Sequence, residues 1–171
     1  MVTAIIAAGG QGTRLGGDRP KQLMLVGGKT ILQRAVRAFD QCERVDAIVL
    51  VVPPTLVAQS GLAETPNGTP LRVVAGGQDR HISVARGFEV VSASTDIVVV
   101  HDAARPFCSS ALIARTIDAA VQHGAAIPGL AVSDTLKQRS VGPGWFVSRT
   151  LSREQVVQAQ TPQAFRREVL T

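Results

Sequence analysis

Tyrosine is missing from the 171 residues, tryptophan occurs once, and aromatic side chains make up 4% of the chain. A platform on which single-stranded bases stack needs such rings, so that route to nucleic-acid binding is excluded. Cysteine is as scarce. Cys42 and Cys108 are the only two and belong to no CxxC or Cys/His cluster, which excludes a disulfide framework and a cysteine-built zinc site and favours a reducing compartment with two buried thiols. Long apolar runs are lacking too: "AIVLVVPP" and "DIVVVHD" reach about six residues, against the ~20 of a membrane span. No basic segment precedes the first apolar run, and glycines stand where a signal peptide would be cleaved. The expectation is a cytoplasmic protein without a membrane partner. Charge is not concentrated either. The 18 Lys and Arg against 13 Asp and Glu give a net charge of +5, but no basic run exceeds Arg166-Arg167, a distribution that suits a small anionic substrate better than a nucleic acid.

What the chain does have is alternation within one domain of ordinary size. Short runs rich in β-branched residues recur at Ala4 to Ala7, Ala47 to Val52, Arg72 to Val74 and Ile97 to Val100. Each is apolar throughout, the pattern of a strand covered on both faces. Between them lie helical patterns. Thr30 is placed to cap a helix with Ile31, Ala35, Ala38 and Phe39 on one face, and Ser109 or Ser110 to cap another that runs to Gly124. The expected fold is α/β: a mostly parallel sheet sandwiched by helices, Rossmann-like, over residues 1–171. In such sheets the ligand lies beyond the carboxyl ends of the strands. One segment breaks the rhythm. Residues 133–160 carry a Gly-Pro-Gly turn between two strand-like stretches and read as a protruding β-hairpin arm, with Asp134 either a turn residue at its base or a substrate ligand. Its Trp145-Phe146 pair has no helix to cover it, and a partner chain is the simplest cover.

Three constellations carry chemistry. "AAGGQGTRLGGDRPKQL" follows the first strand and supplies Gly9, Gly10 and Gly12 as an anion cradle, with Arg14 inside the loop and Lys21 behind the stiff Pro20. Two cations against one phosphate chain neutralise charge on phosphoryl oxygens and on a leaving pyrophosphate. Neither GxGxxG nor GxxxxGK[ST] is present, so the dinucleotide fingerprint and the P-loop both fail. In "GGQDRHISVARGF", Gly76 and Gly77 end a strand, Asp79 stands where it would cap a helix, and Arg80 and Ser83 fall on its first turns; Arg80 would meet a triphosphate and Ser83 a base or sugar. In "VVVHDAARPF", Asp102 ends a buried strand, where a carboxylate needs a partner, and Mg²⁺ held jointly with triphosphate oxygens is the natural one. Arg105 would hold a second substrate's phosphate bidentately. His101, His81 and His123 read as structural residues.

"AAGGQGTRL…PKQ", "GGQDRHISV", "HDAARP", "SDTLK" and "QTPQAF" occur in the order and approximate spacing of 2-C-methyl-D-erythritol 4-phosphate cytidylyltransferases of the non-mevalonate isoprenoid pathway, a family the chain resembles along its whole length. Nucleotidyltransferases at large share only the first motif. The resemblance implies that the acceptor attacks the α-phosphorus of CTP in line, that pyrophosphate leaves, and that Mg²⁺ bridges the phosphates. It makes Arg14 and Lys21 the transition-state cations, Asp102 the metal ligand, and Ala7, Ala8, Gly77, Gln78, Arg80 and Ser83 the CTP pocket. Arg105, Thr135, Arg153 and Thr161 match positions that hold methylerythritol phosphate. In the family the arm with Arg153 crosses to the other subunit of a homodimer.

The chain departs from the pattern in three places. Its glycine loop is one residue longer, Gln78 stands where an acidic residue is frequent, and the family continues for several dozen residues past "TPQAF", including a lysine that contacts substrate phosphate. The C-terminal part of the family domain is therefore expected to be absent from these residues, and some members are fused to a cyclodiphosphate synthase. Two other readings remain open from the residues alone: a cytidylyltransferase for another polyol phosphate such as ribitol 5-phosphate, and a non-catalytic nucleotide-binding module.

Overall fold

The four apolar runs are strands, at most two residues longer at either end than their sequence pattern suggests. The computed structural model describes residues 1–9, 20–59 and 61–170. Gly10, Gly12 and Arg14 lie outside the described residues. In chain order the elements are β1 (Val2–Ala7), the short pair β2 (Leu25–Val26) and β3 (Lys29–Thr30), α1 (Ile31–Asp40), β4 (Ala47–Val52), β5 (Leu71–Ala75), α2 (Arg80–Glu89), β6 (Ile97–Asp102), α3 (Ser110–His123), β7 (Ala125–Ala126), β8 (Gly129–Ala131), β9 (Lys137–Arg139), β10 (Val147–Thr150), β11 (Val157–Ala159) and β12 (Gln163–Arg166).

The main sheet runs β5-β4-β1-β6-β12-β7. The first four strands are parallel, and β12 lies antiparallel between β6 and β7. Alternate residues of each parallel strand feed two separate cores. Ala4, Ile6, Ile48, Leu50, Ile97 and Val99 pack with α1 and α3 through Leu32, Val36, Phe39, Ile113 and Ile117. Ile5, Val49, Val51, Val98 and Val100 face the other way, toward Val84 and Phe88 of α2. Two covered faces are why these strands show no polar alternation.

Helix boundaries follow local chemistry. At α1, Thr30 Oγ1 accepts from Gln33 N at 3.0 Å while Gln33 Oε1 accepts from Thr30 N at 2.9 Å, a reciprocal capping box. At α3 it is Ser109, of the two candidate serines, that caps, accepting from Leu112 N at 3.2 Å, and the helix stops at Gly124 with φ +89°. Asp79 differs from the sequence expectation. It occupies the N-cap position of α2, yet its side chain makes no capping bond.

The arm forms as a hairpin and starts earlier than Ser133. Its root is the antiparallel pair β8–β11, and beyond it β9 pairs with β10 with an irregularity between Val147 and Arg149. Trp145 and Phe146 are 87% and 69% exposed, so the arm does not fold back on its own domain. Arg139 lies over the Trp145 ring, 4.7 Å from its centroid.

Candidate active site

Strand order places the crevice. The chain leaves β1 toward β4 on one side and returns to β6 on the other, so β1 and β6 flank a topological switch point. Their carboxyl ends are in register, with Ala7 opposite Asp102. Ala7 O accepts from Ala103 N at 2.9 Å, and Ala8 N donates to Val51 O at 2.7 Å, so the backbone that enters the glycine loop is held from both neighbouring strands.

Lys21 is brought to this end by a residue that sequence reasoning passed over. Gln22 is buried and donates through Nε2 to Ala8 O at 2.9 Å, which ties the short turn Lys21–Leu23 to the end of β1. Gln22 stands inside the quoted "PKQ" motif, so the signal was present. A lone glutamine reads as a solvated side chain until its acceptor is known.

On the α2 side, Ser83 fixes the glycine turn before the helix that Asp79 was expected to cap. Ser83 is buried; its Oγ accepts from Gly77 N at 3.1 Å and donates to Gly77 O at 3.3 Å. A Cβ on Gly77 would come within 2.2 Å of Ile82 Cγ2, and one on Gly9 within 3.1 Å of Ser83 Oγ. Gly77 is therefore required by close approach, and a side chain at Gly9 would be tight against Ser83. Gly77 is half-buried and Gln78 exposed. Arg86, four residues beyond Ile82 and also unremarked in the sequence, donates to Gly76 O at 2.6 Å and braces the same turn.

Asp102, at the end of β6, is 29% exposed in its side chain and sits between two guanidinium groups. Arg80 Nε reaches Oδ1 at 2.7 Å, and Arg105 Nε lies 3.7 Å from Oδ2. Arg105 also donates to Gln160 Oε1. Arg80 thus pairs with the carboxylate, whereas its sequence context points only toward phosphate. Among the described residues no group of three His, Cys, Asp or Glu is arranged to hold a metal. A divalent cation here would have Asp102 as its protein carboxylate, with further oxygens from substrate and water, a hard-oxygen set that suits Mg²⁺.

Behind Asp102 runs a directed chain of hydrogen bonds. Asp102 N donates to Thr161 Oγ1 at 3.4 Å, Thr161 Oγ1 and His101 Nδ1 are 3.0 Å apart, and His101 Nε2 lies 3.0 Å from Arg105 O. A carbonyl only accepts, so Nε2 carries the proton and Nδ1 accepts from the threonine. Burial pushes the His101 pKa down to about 4, with the Arg105 carbonyl opposing the shift. His101 is fully buried and leans on Phe39 at 4.9 Å. It is a neutral positioning residue, in keeping with its structural reading. Thr161 is buried as well, its hydroxyl engaged within this chain. Cys108 is held protonated, its pKa raised to about 11 mainly by burial, and offers no thiolate nucleophile.

The structure therefore gathers Ala7, Ala8, Gly9, Gly77, Arg80, Ser83, Asp102, Arg105 and Thr161 at one end of the sheet, with Lys21 tethered beside them. Thr135 and Arg153 stand apart on the arm. Thr135 is exposed, and Arg153 donates to Ser133 O at 3.2 Å; among the described residues no hydrogen bond joins either to Asp102, Arg105 or Thr161.

A family model described as IspD: 2-C-methyl-D-erythritol 4-phosphate cytidylyltransferase matches residues 2–171. The bifunctional enzyme IspD/IspF of Anaeromyxobacter dehalogenans is 44% identical over 170 residues, covering 99% of this chain and 43% of that protein. The 2-C-methyl-D-erythritol 4-phosphate cytidylyltransferase of Acidobacterium capsulatum is 41% identical over 178 residues, covering 99% of this chain and 74% of that protein. A crystal structure of the enzyme of that name from Thermus thermophilus superposes with a TM-score of 0.72 at 36% identity, covering 98% of this chain and 71% of that one. The chain thus spans less than half the length of its bifunctional relative and about three quarters of the single-function one.

Proposed function

The chain belongs to the 2-C-methyl-D-erythritol 4-phosphate cytidylyltransferase family, and on that premise we propose that it transfers CMP from CTP to 2-C-methyl-D-erythritol 4-phosphate in isoprenoid precursor synthesis. An acceptor hydroxyl oxygen attacks the α-phosphorus and loses its proton to solvent, while the bond from that phosphorus to the bridging oxygen breaks and pyrophosphate leaves. The observation that carries this reading is the register of Ala7 opposite Asp102 at the switch point, with the Lys21 turn tied to the same strand end through Gln22. Positioning and charge neutralisation are what phosphoryl-type transfer asks of a protein, and among the described residues this crevice offers cations, a carboxylate and backbone without an activated nucleophile.

In this reading the backbone around Ala7, Ala8, Gly9, Gly10, Gly12, Gly77 and Gln78 cradles CTP, with Arg80 on its phosphates and Ser83 fixing the Gly77 turn against a small pyrimidine. Arg14 and Lys21 counter the charge that builds as pyrophosphate departs. Mg²⁺, held by Asp102 and triphosphate oxygens, would neutralise phosphate charge. Arg80 and Arg105 already surround that carboxylate, so nucleotide binding would draw Arg80 from Asp102 to the triphosphate. Arg105 holds the acceptor phosphate, while Thr161 orders the backbone beneath it. The arms of two chains exchange in a cytoplasmic homodimer, bringing Thr135 and Arg153 to the partner's acceptor site and covering Trp145 and Phe146.

The deciding assay is pyrophosphate release from CTP with methylerythritol phosphate and with ribitol 5-phosphate, run in Mg²⁺. Release with the first acceptor and not the second is expected. Release with ribitol phosphate alone would move the chain to another polyol phosphate, and CTP binding with neither turnover would make these residues a nucleotide-binding module.

A further inference from the structure

The β2–β3 hairpin, α1 and the start of α3 enclose a cleft of about 360 Å³ that the proposed reaction does not use. Lys29, Arg34 and Arg37 line it, Ser109 and Ser110 face them, and among the described residues no carboxylate or aromatic side chain contributes to its walls. Among the described residues none of the three cations forms an ion pair. Arg34 donates from Nε to Val26 O at 2.6 Å and from Nη2 to Gly27 O at 2.9 Å, which pins the hairpin and leaves its charge uncompensated. The single carboxylate of α1, Asp40, accepts from Asn67 N at 3.0 Å and Thr69 N at 3.3 Å instead.

Three uncompensated cations around one hollow repel one another unless an anion joins them. The opposite wall adds to the same field, because the first N–H groups of the 14-residue α3 lack intrahelical partners and carry the positive end of its dipole. Ser109 Oγ accepts from Leu112 N, so its own O–H is left to donate. With no ring in the walls, a nucleobase would find nothing to stack on.

We infer that this cleft is a second anion site, separate from the CTP crevice, that takes a compact, multiply charged phosphate: inorganic diphosphate, or inorganic phosphate. An anion there would join the hairpin that follows Lys21 to the Pro106–Cys108 segment that follows Arg105, linking the two sides of the reaction site. The inference stands apart from the proposed reaction and its test reads binding, not turnover.

Calorimetric titration of the full chain with inorganic diphosphate, and separately with inorganic phosphate, tests it. The side chains of Lys29 and Arg37 are exposed and make no hydrogen bond or ion pair among the described residues, so the double variant Lys29→Ala/Arg37→Ala keeps its melting temperature. It is expected to lose at least tenfold in affinity for whichever anion the native chain binds more tightly, which also identifies the source. Arg72→Ala/Arg115→Ala, with the same change in net charge on exposed positions, retains that affinity, as does Lys21→Ala. A loss below tenfold, an equal loss in the charge-matched control or in Lys21→Ala, or no binding of either anion tighter than about 1 mM overturns the inference.

Discussion

The parallel half of the sheet and the arm are built on opposite plans. In β1, β4 and β6 nearly every side chain is buried on one of two faces, whereas every residue from Val141 to Thr150 is exposed and the arm's bonds run mostly within itself. The first region is finished by its own packing. The second carries apolar rings and cations on a frame that is marginal alone, a surface that the proposed homodimer would cover. The proposed reaction divides nearly along the same line, with the nucleotide groups and Arg105 on the packed half and the acceptor groups Thr135 and Arg153 on the arm.

The sharpest contrast is mechanical. Phe39 is fully buried, and Phe39→Ala should cost about 3–5 kcal/mol of unfolding free energy, while Phe146→Ala in the dissociated chain should change it by less than about 0.5 kcal/mol. Urea unfolding at low protein concentration measures both. Comparable losses would mean that the arm tip packs in the single chain.

Acid comes next. The folded pKa of His101 is about 4, lowered mainly by burial, against an ordinary 6.5. Below 6.5 the unfolded chain takes up a proton that the folded chain refuses. The contribution of neutral His101 is therefore fully present above that value and is lost as pH falls, by up to about 1.4 kcal/mol per unit, or about 3 kcal/mol by pH 4. Denaturation of the native chain and of His101→Asn in metal-free buffer should differ by this slope between pH 6.5 and 5. The arm, with no such group, should contribute none of it.

Lys21→Ala should reduce turnover about a hundredfold, ~2.7 kcal/mol, with CTP affinity nearly unchanged, because a cation that meets developing charge acts in the transition state. A fall of less than about tenfold would reassign Lys21 to binding. The smallest effect is on the arm: Arg153→Ala should raise KM for the acceptor about tenfold, ~1.4 kcal/mol, and leave CTP affinity alone. Mixing Arg153→Ala with Lys21→Ala should restore activity in heterodimers, since one composite site then holds both native residues. Verified heterodimers without that recovery would put Arg153 in its own subunit's site or in none.

Legibility in the sequence followed the same division. Strands covered on both faces announce themselves as unbroken apolar runs, and Thr30 and Ser109 cap helices by local bonds that need no knowledge of the fold. β12 was not visible, since Gln-Ala-Phe-Arg holds no β-branched residue and is a strand because β6 offers it a free edge. β7 and the β8–β11 root were too short to show periodicity, which is why the arm starts four residues before Ser133. At the crevice, residue types and motif spacing pointed to Asp102, Arg80 and Arg105, but not to their mutual pairing. Gln22, Arg86 and the Ser83–Gly77 exchange became visible only once distant backbone groups had acceptors and donors in space.

The arm leaves the sheet and returns to it at one place. Ala126 pairs with Ala164, Gln160 N donates to Pro128 O at 2.9 Å, and Gly129 pairs with Ala159. Its two ends are thus stapled side by side, and what lies between them is an insert whose length and sequence the rest of the molecule does not count. Substitutions and small insertions there can accumulate without moving the carboxyl ends of β1 and β6, so in the proposed reaction acceptor recognition and pairing would be retuned on a separable module while the costly part of the fold stays fixed.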